Sequence, residues 1–278
     1  MAAGVPGWCA VNKIADATAL RGSLLAAGEP AITGADILDE AFPGTNLYDF
    51  RPGTIARFAA AGQRAIWASF ATAISFDTLW ICNHNVPTNA TLALMKSATG
   101  AAASWSTLWT ASAAELGETD LVKLFSATQS GEYLALVLSA VGSLVDPLEL
   151  GEWGLGTRTT APVAFEFNAS PRGRVGRSIR NRTQYGYAES KFFGVARSFE
   201  GLIGLGEGEA GMDTLESLAT DTNYGASPFL WVPDVTGSVG ICATADGLDA
   251  FEPQVLAPGV YGSINLRIDE VPRGRATV

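Results

Sequence analysis

Short runs of apolar and β-branched residues, separated by glycine, proline and asparagine, dominate the pattern along this chain. The segments "QRAIWASF", "FDTLWICNHN" and "NATLALMKS" are typical of strands that end at turn residues. In "EYLALVLSAVGSL", apolar residues occupy both alternating faces, so we expect this strand inside a sandwich. The first 45 residues predict short strands and irregular turns. Residues 98–132 show no clean period, and we expect a long excursion there with one short helical turn.

A second strand-rich half begins near residue 160, after a segment that contains a proline and several threonines. It includes "VAFEFNA", "SKFFGVARSFEGLIG", "PFLWVPD" and "GVYGSINLRIDEV". One helix is predicted within it, at "GMDTLESLATDTN", because Met212, Leu215 and Leu218 share a face by their spacing. The pattern therefore predicts a mainly β protein of two domains, the second of which carries one helix.

Composition narrows the range of partners. The chain has 28 acidic and 18 basic residues, so a general binder of nucleic acid or of an anionic membrane is not expected. No apolar stretch reaches the ~18 residues of a spanning helix, and the N-terminus lacks a signal-peptide pattern, so neither membrane insertion nor secretion is expected. Cys9, Cys82 and Cys242 are widely spaced, which indicates buried thiols in a protein assembled in the cytosol.

The single histidine, His84, lies between Asn83 and Asn85 at the end of an apolar run. Catalysis or metal binding would need partners, and the sequence has no HExxH motif, no second histidine and no GxSxG elbow. Asparagine tolerates left-handed backbone and caps turns with its side-chain amide. We therefore predict a structural turn in which the imidazole satisfies buried carbonyl groups, and we expect no catalytic and no metal-binding residue.

Two other patterns resemble chemical motifs but lack essential parts. The segment "GLIGLGEGEAG" contains Gly204, Gly206 and Gly208 without the Lys-Ser/Thr pair of a phosphate-binding loop, so it predicts a flexible turn and no cofactor. A pair of carboxylates acting as in glycoside hydrolysis stays open, because acidic residues are numerous. Most of them lie in turn-like segments, which favours a solvated surface.

One segment, "SPRGRVGRSIRNR", is basic in this acidic chain. On a strand, its first two arginines point to one side, as do its last two, and Gly176 allows a register shift between the pairs. Arginine binds carboxylates and phosphates, so the expected target is an acidic face of a neighbouring subunit, with nucleic acid as the alternative. The predicted subunit interface consists of Arg172, Arg174, Arg177, Arg180 and Arg182.

Three segments, in order, resemble a domain that recurs in phage tail proteins. They are "NLYDFRPGTIARF", "FDTLWICNHNVPTNATLALMKS" and "EYLALVLSAVGSLVDPLELGEWGLGT", which carry a D..P.T..R pattern, an HN turn after a strand, and a late strand before an LELG ending. The match covers roughly residues 45–160, and Val86 stands where leucine is commoner. The resemblance implies a galactose-binding-like jelly-roll sandwich, a fold shared with many carbohydrate-binding modules. Residues from about 162 onward resemble distal tail proteins by the order of their elements.

The resemblance implies a non-enzymatic structural protein of a bacteriophage tail tip or baseplate. The expected domains are a jelly-roll β-sandwich over residues 1–160 and a small β-barrel or sandwich with one helix over residues 161–278. Expected partners are other tail proteins and copies of the chain in a ring, and the expected location is the virion tail, after synthesis in the host cytoplasm.

Two other functions stay open at this point. One is a carbohydrate-binding or host-receptor-binding module that contacts glycans through exposed Trp105, Trp109 and Trp153. The other is a glycoside-processing enzyme.

Overall fold

The computed structural model describes residues 5–26, 28–32, 35–59, 62–118, 120–140, 147–161, 165–167, 173–182, 188–207, 210–233, 235, 240–246, 248, 255–257 and 260–271. Its strands are β1 (Gly7–Cys9), β2 (Ala19–Ala26), β3 (Glu29–Pro30), β4 (Ala56–Arg57), β5 (Arg64–Cys82), β6 (Ala90–Ser97), β7 (Ser106–Thr110), β8 (Asp120–Ala140), β9 (Glu149–Leu150), β10 (Glu152–Gly156), β11 (Thr159–Thr160), β12 (Phe165–Phe167), β13 (Gly173–Arg182), β14 (Ala188–Glu207), β15 (Phe229–Val232), β16 (Ile241–Asp246), β17 (Val255–Ala257) and β18 (Val260–Glu270). The helices are α1 (Ala113–Leu116) and α2 (Ala210–Asp221), and 3-10 turns occur at Lys13–Asp16 and Gly44–Leu47. Neither α-helix of the described ranges is long and apolar enough to cross a membrane.

The chain divides into two compact units. The sandwich unit comprises Asn12–Asp49 and Thr54–Thr157, and the helix-bearing unit comprises Met1–Val11, Phe50–Gly53 and Arg158–Val278. Strands pair in antiparallel fashion in both units. The fold class predicted from the sequence is confirmed: the protein is mainly β, with a jelly-roll sandwich and a second β unit that carries one helix.

β5 and β8 are the two longest strands of the sandwich unit, and they pair with each other along most of their length. Their register shifts between Ser69 and Ile74 and again between Phe76 and Thr78. Before the shifts β5 pairs with β2, and after them it pairs with β10. Extra residues in a strand pair bend the strands and increase their twist. β5 therefore changes its neighbour along its length, and the strand order is β3-β2-β5-β8-β6-β7 with β10 beside the far half of β5.

Both faces of β8 are buried, as the apolar residues on both alternating faces of "EYLALVLSAVGSL" predict. Leu134, Leu136 and Leu138 belong to the main core of the sandwich. Ala135 and Val137 belong to a second, smaller apolar cluster. Each fully buried leucine stabilises the fold by about 1.5–3 kcal/mol relative to an exposed one, so this strand is central to the stability of the unit.

In the helix-bearing unit, the described strands form a nine-stranded sheet with the path β11-β1-β15-β16-β18-β14-β12, and β13 and β17 lie beside β14 and β18. The predicted helix is confirmed as α2. Leu215 and Leu218 are buried in one cluster with Phe229 and Ile241 of the sheet, and Met212 packs against that cluster. The spacing of these three helical residues therefore identifies the face that covers the sheet.

The N-terminal strand lies outside the predicted first domain. β1 pairs with β15 on one side and with β11 on the other, and Trp8 lies opposite Trp231. Residues up to Val11 therefore belong to the helix-bearing unit. Toward the C-terminus, the boundary between the two units lies between Thr157 and Arg158, whereas the sequence predicts a domain boundary between residues 160 and 161. A strand of three residues shows no period, so only its pairing with distant strands reveals it.

The prediction of an irregular excursion over residues 98–132 is wrong in part. The short helical turn exists as α1, which begins with a capping box: the Glu115 N–H donates to Ser112 Oγ, and the Ser112 N–H donates to Glu115 Oε2 at 2.7 Å. The segment also contains β7 and the first half of β8. Ser106, Thr107 and Thr110 give β7 no apolar alternation, and pairing with β6 makes it a strand.

Candidate functional site

The Asn83–Asn85 turn lies at the end of β5 and leads toward β6. β5 and β6 are separated in the sheet by β8, so the turn begins a crossover. Asn83 has a φ of 54°, in the left-handed region that asparagine tolerates. The Gly151 N–H donates to the carbonyl groups of Cys82 and Asn83, at 3.1 and 3.2 Å. This backbone contact fixes the turn against the segment between β9 and β10.

Asn85 joins the turn to β9 with both ends of its amide. Its Nδ2 donates to the Pro147 carbonyl at 2.9 Å, and its Oδ1 accepts from the Glu149 N–H at 2.8 Å. The Glu149 carboxylate in turn accepts two hydrogen bonds from Arg57, from Nε at 3.0 Å and from Nη2 at 2.7 Å. Both side chains of this ion pair are largely withdrawn from solvent, so Arg57 and Glu149 are committed to each other.

His84 is almost fully buried, and among the described residues neither of its ring nitrogens has a hydrogen-bond partner. Burial lowers its pKa below the usual 6.5, and the charge of Asp120 and the Glu118 backbone oppose that effect only in part. The imidazole is therefore neutral at pH 7. The predicted bonds from the imidazole to buried carbonyls stay a prediction: neither ring nitrogen meets hydrogen-bond geometry with a described residue, although the Glu118 backbone acts on the pKa of the ring.

The segments on which the sequence resemblance rests meet around this turn. Arg57 is the last residue but one of the first segment, Asn85 belongs to the second and Glu149 to the third. Arg57 donates to the Glu149 carboxylate, and the Glu149 N–H donates to Asn85 Oδ1. Within the first segment, Thr54 Oγ1 donates to both carboxylate oxygens of Asp49, at 3.2 and 3.0 Å. The three quoted segments are therefore joined by one partly buried hydrogen-bond network at this turn.

The tryptophans do not form an exposed binding face. Sequence analysis proposed glycan contact through exposed Trp105, Trp109 and Trp153, and this is wrong because the three side chains are 8%, 8% and 0% accessible. Trp105 lies in the smaller apolar cluster, and Trp109 and Trp153 lie in the main core. The other four tryptophans of the chain are buried as well, namely Trp8, Trp67, Trp80 and Trp231.

The predicted arginine interface is described only in its backbone. Arg172 lies outside the described residues, and Arg174, Arg177, Arg180 and Arg182 lie on β13, which pairs with β14. The register shifts between Gly176 and Ser178, which is the position at which the sequence predicts a shift. The four residues thus share one strand, and the interface itself stays a prediction.

The buried carboxylates of the sandwich unit are engaged in hydrogen bonds. Glu152 is inaccessible to solvent and accepts a hydrogen bond from Asn12 Nδ2 at 2.8 Å. The same amide donates to the Trp153 carbonyl and accepts from the Leu155 N–H, so Asn12 fastens the start of the unit to β10. Within the described ranges, no group of three or more histidine, cysteine or acidic side chains could hold a metal ion.

Exposed polar side chains collect beside the turn, and we call Thr88, Asn89 and Glu118 the polar rim. All three are exposed, and none forms a side-chain hydrogen bond with a described residue. They offer a hydroxyl, an amide and a carboxylate, which together donate and accept hydrogen bonds. Sequence analysis did not single them out, because isolated polar residues between strands are also typical of ordinary loops.

Two contacts hold the loops of the polar rim together. The Asn83 N–H donates to Asp120 Oδ1 at 3.2 Å, which joins the turn to the start of β8. Gly117, next to Glu118, approaches the other loop so closely that a Cβ there would lie 3.9 Å from Thr88 Cγ2. The turn that leads to Thr88 and Asn89 is therefore joined to β8, which begins two residues after Glu118.

A scan against protein-family models finds no match, and no curated protein matches the chain. Solved structures similar to part of it include carbohydrate-binding modules and, over about a quarter of their own length, fucosidases. A Clostridium perfringens domain named CpGH89CBM32-6 matches with a TM-score of 0.38 at 9% identity, and a chitosan-binding module from a Paenibacillus chitosanase/glucanase matches with 0.38 at 13%. Both matches cover 52% of this chain and 98% of the other. A pectin-binding module matches with 0.34 at 15% identity, over 50% of this chain and 89% of its own. At these scores the likeness carries no information about a ligand of this chain.

Proposed function

We propose that this chain is a non-enzymatic binding protein whose sandwich unit binds carbohydrate through the polar rim. The observation that carries the proposal is a set of three exposed polar side chains, Thr88, Asn89 and Glu118, which form no side-chain hydrogen bond with a described residue and follow or precede segments that a hydrogen bond joins. Sugar hydroxyls both donate and accept hydrogen bonds, and a surface that offers a hydroxyl, an amide and a carboxylate is complementary to them. Preorganised loops also reduce the entropy cost of binding.

The charge of the rim favours neutral sugars. Glu118 belongs to the rim, Asp120 and Glu115 lie close by in the sequence, and the whole chain has a net charge of −10. A uronate or sialate carboxylate would approach like charges and be repelled. We therefore propose a neutral saccharide as the ligand.

Binding at the rim is expected to be weak. Without a tryptophan face, the affinity depends on hydrogen bonds that replace hydrogen bonds to water, and each contributes only about 0.5–1.5 kcal/mol net. A few such bonds correspond to a Kd of roughly a millimolar. Multiple copies or a second contact on the same chain would raise the apparent affinity.

The test begins with the full chain on a microarray of neutral and acidic oligosaccharides, followed by calorimetry with the best neutral binder. We expect binding to neutral glycans and a loss of affinity in Asn89→Ala and Glu118→Gln. Glu40→Gln, which removes an exposed carboxylate outside the rim, serves as the matched control and should bind like the parent chain. Equal binding by all three variants, or no glycan bound at all, would refute the proposal.

A virion structural role is the second candidate, and one specific observation favours it. The three segments that resemble phage tail proteins meet in the Arg57–Glu149–Asn85 network. In this case the chain would assemble in a tail tip or baseplate ring, with copies of itself and other tail proteins, and the β13 arginines would contact a neighbouring subunit. Mass photometry of the purified chain tests it: a closed ring that Arg180→Glu dissociates supports this role, and a monomer at all concentrations counts against it.

A further inference from the structure

Tyr224 is the exposed large aromatic residue among the side chains that the structure describes. Its accessible fraction is 59%, whereas every tryptophan of the chain is buried. The other exposed large apolar side chains of the described ranges are aliphatic, namely Val11 and Leu24. A single exposed apolar residue is ordinary in itself, so the significance of Tyr224 depends on how its backbone is held.

The backbone at Tyr224 is left-handed, and so are both of its neighbours. The φ angles are 49° at Asn223, 56° at Tyr224 and 84° at Gly225. Asparagine and glycine tolerate this region, but a bulky aromatic residue rarely occupies it, because its Cβ approaches the following carbonyl oxygen. A strained residue persists only where the surroundings determine its conformation, and such residues cluster at functional sites.

Hydrogen bonds from both sides determine this conformation. Thr222 Oγ1 donates to the Leu218 carbonyl at 2.6 Å and accepts from the Gly225 N–H at 3.1 Å. The Ser227 N–H donates to the Thr222 carbonyl at 2.9 Å, which closes the turn. At Gly225 the chain passes so near β16 that a Cβ would lie 1.9 Å from the Ala245 carbonyl oxygen. The Tyr224 ring is thus presented to solvent from a fixed base.

Three residues shortly before Tyr224 in the chain are exposed and polar, whereas Thr222 and Gly225 are buried. Thr220, Asp221 and Asn223 offer a hydroxyl, a carboxylate and an amide. A standard protein interface needs roughly 800 Å² of surface per partner and has an apolar centre. One ring among polar groups, with no second exposed large apolar side chain described in residues 210–233, does not meet that requirement. The arrangement instead fits a small ligand with one apolar face and many hydroxyls.

We propose that Thr220, Asp221, Asn223 and Tyr224 form a saccharide-binding site in the helix-bearing unit, which we call the Tyr224 site. The ring would stack on the C–H face of a pyranose, and the polar neighbours would bind its hydroxyl groups. The choice of ligand class rests on the proposed function, but the site is separate from the polar rim and lies in the other unit. A chain with both sites would bind a glycan chain or surface at two points.

The test uses calorimetry of the full chain with lactose, chitotriose and cellotetraose. Tyr224→Asn removes the ring and keeps a residue that tolerates left-handed backbone, so we expect at least about a tenfold rise in Kd with no fall in Tm. Tyr224→Phe keeps the ring and should leave Kd within about threefold. Glu216→Gln, an exposed substitution on the same helix, is the matched control.

The outcomes separate this site from the polar rim. Loss of affinity in Tyr224→Asn supports the site, whether or not Asn89→Ala also weakens binding. Parent-like affinity in Tyr224→Asn, together with a loss in Asn89→Ala, overturns the site and leaves the rim in place. Absence of binding by the parent chain to all three sugars overturns the Tyr224 site, and absence on the whole microarray also overturns the proposed function.

Discussion

Asn85 connects the turn to β9 through both the oxygen and the nitrogen of its amide. Asparagine was predicted to cap a turn here, because its short amide reaches neighbouring backbone groups. The partners of that amide, Pro147 and Glu149, could not be read from the sequence, since more than sixty residues separate them from the turn. The surroundings of His84 could not be predicted from the sequence either, because the burial of this side chain depends on how the surrounding loops pack.

Replacement of Asn85 tests the network at the scale of one side chain. Asn85→Ala leaves the Glu149 N–H and the Pro147 carbonyl without their partner, so we expect the free energy of unfolding to fall by about 1–3 kcal/mol. Urea unfolding followed by tryptophan fluorescence measures this. Asn89→Ala, an exposed substitution four residues further on, should change stability by less than about 0.5 kcal/mol. A loss of similar size in both variants would show that the network is not what stabilises the turn.

Protonation of His84 should link stability to pH. Its pKa in the folded chain is lowered by burial, so below about pH 6.5 the unfolded chain binds the proton more readily and the folded state loses stability. We expect unfolding free energies to be level above about pH 7.5 and to fall toward pH 5.5 by at most about 1.4 kcal/mol per pH unit, the limit for a single proton.

The control for this pH dependence is unusually direct, because the chain has one histidine. His84→Gln removes the titrating group and should flatten the profile between about pH 5.5 and 7.5, where ordinary carboxylates stay ionised. A profile of unchanged slope would assign the pH dependence to groups other than His84.

At the scale of the element, β10 depends on a glycine that the LELG-containing segment supplies. Gly154 lies opposite Trp80 in the register of β10 and β5, and a Cβ at Gly154 would lie 1.8 Å from Trp80 Cε2. The indole therefore occupies the space that any side chain at this position would need. Trp80 is completely buried, so it has nowhere to move without displacing the core.

Gly154→Ala should therefore destabilise the sandwich unit by at least about 1–3 kcal/mol, the usual cost of overpacking a core. Thermal unfolding and the near-ultraviolet circular dichroism of the tryptophans both report on it. Gly117→Ala is the comparison, because Gly117 is exposed, lies outside the left-handed region and has no backbone neighbour within 3.0 Å of a Cβ. Equal Tm values for the two variants would contradict the packing described for β10.

Helices and strands with a strong hydrophobic periodicity could be predicted from the sequence. Short strands that form because neighbouring strands pair with them could not. α2 follows from the spacing of Met212, Leu215 and Leu218, and the burial of both faces of β8 follows from its continuous apolar run. β1 and β7 are short and carry no alternation, so they exist because neighbouring strands pair with them. The bends of β5 and β8 likewise arise from register shifts that no local pattern displays.

At the scale of the whole molecule, the mainly β fold with two units could be predicted, whereas the buried state of the tryptophans could not. The sequence suggested an exposed glycan platform that includes Trp105, yet this side chain is buried in a cluster with Trp67, Ala135 and Val137. That smaller apolar cluster is formed by residues of strands that are distant in sequence. The proposed binding surfaces consequently shift from tryptophans to the polar rim and the Tyr224 site.

Native mass spectrometry of the full chain with the best neutral oligosaccharide of the microarray is the most direct test of the central claim. We expect a complex whose mass equals that of the chain plus the intact sugar, with no shorter sugar released after prolonged incubation. The complex should diminish in the Glu118→Gln chain and persist in the Glu40→Gln chain. Release of shortened sugars, or no complex with any neutral oligosaccharide, would contradict the claim that this protein binds carbohydrate without cleaving it.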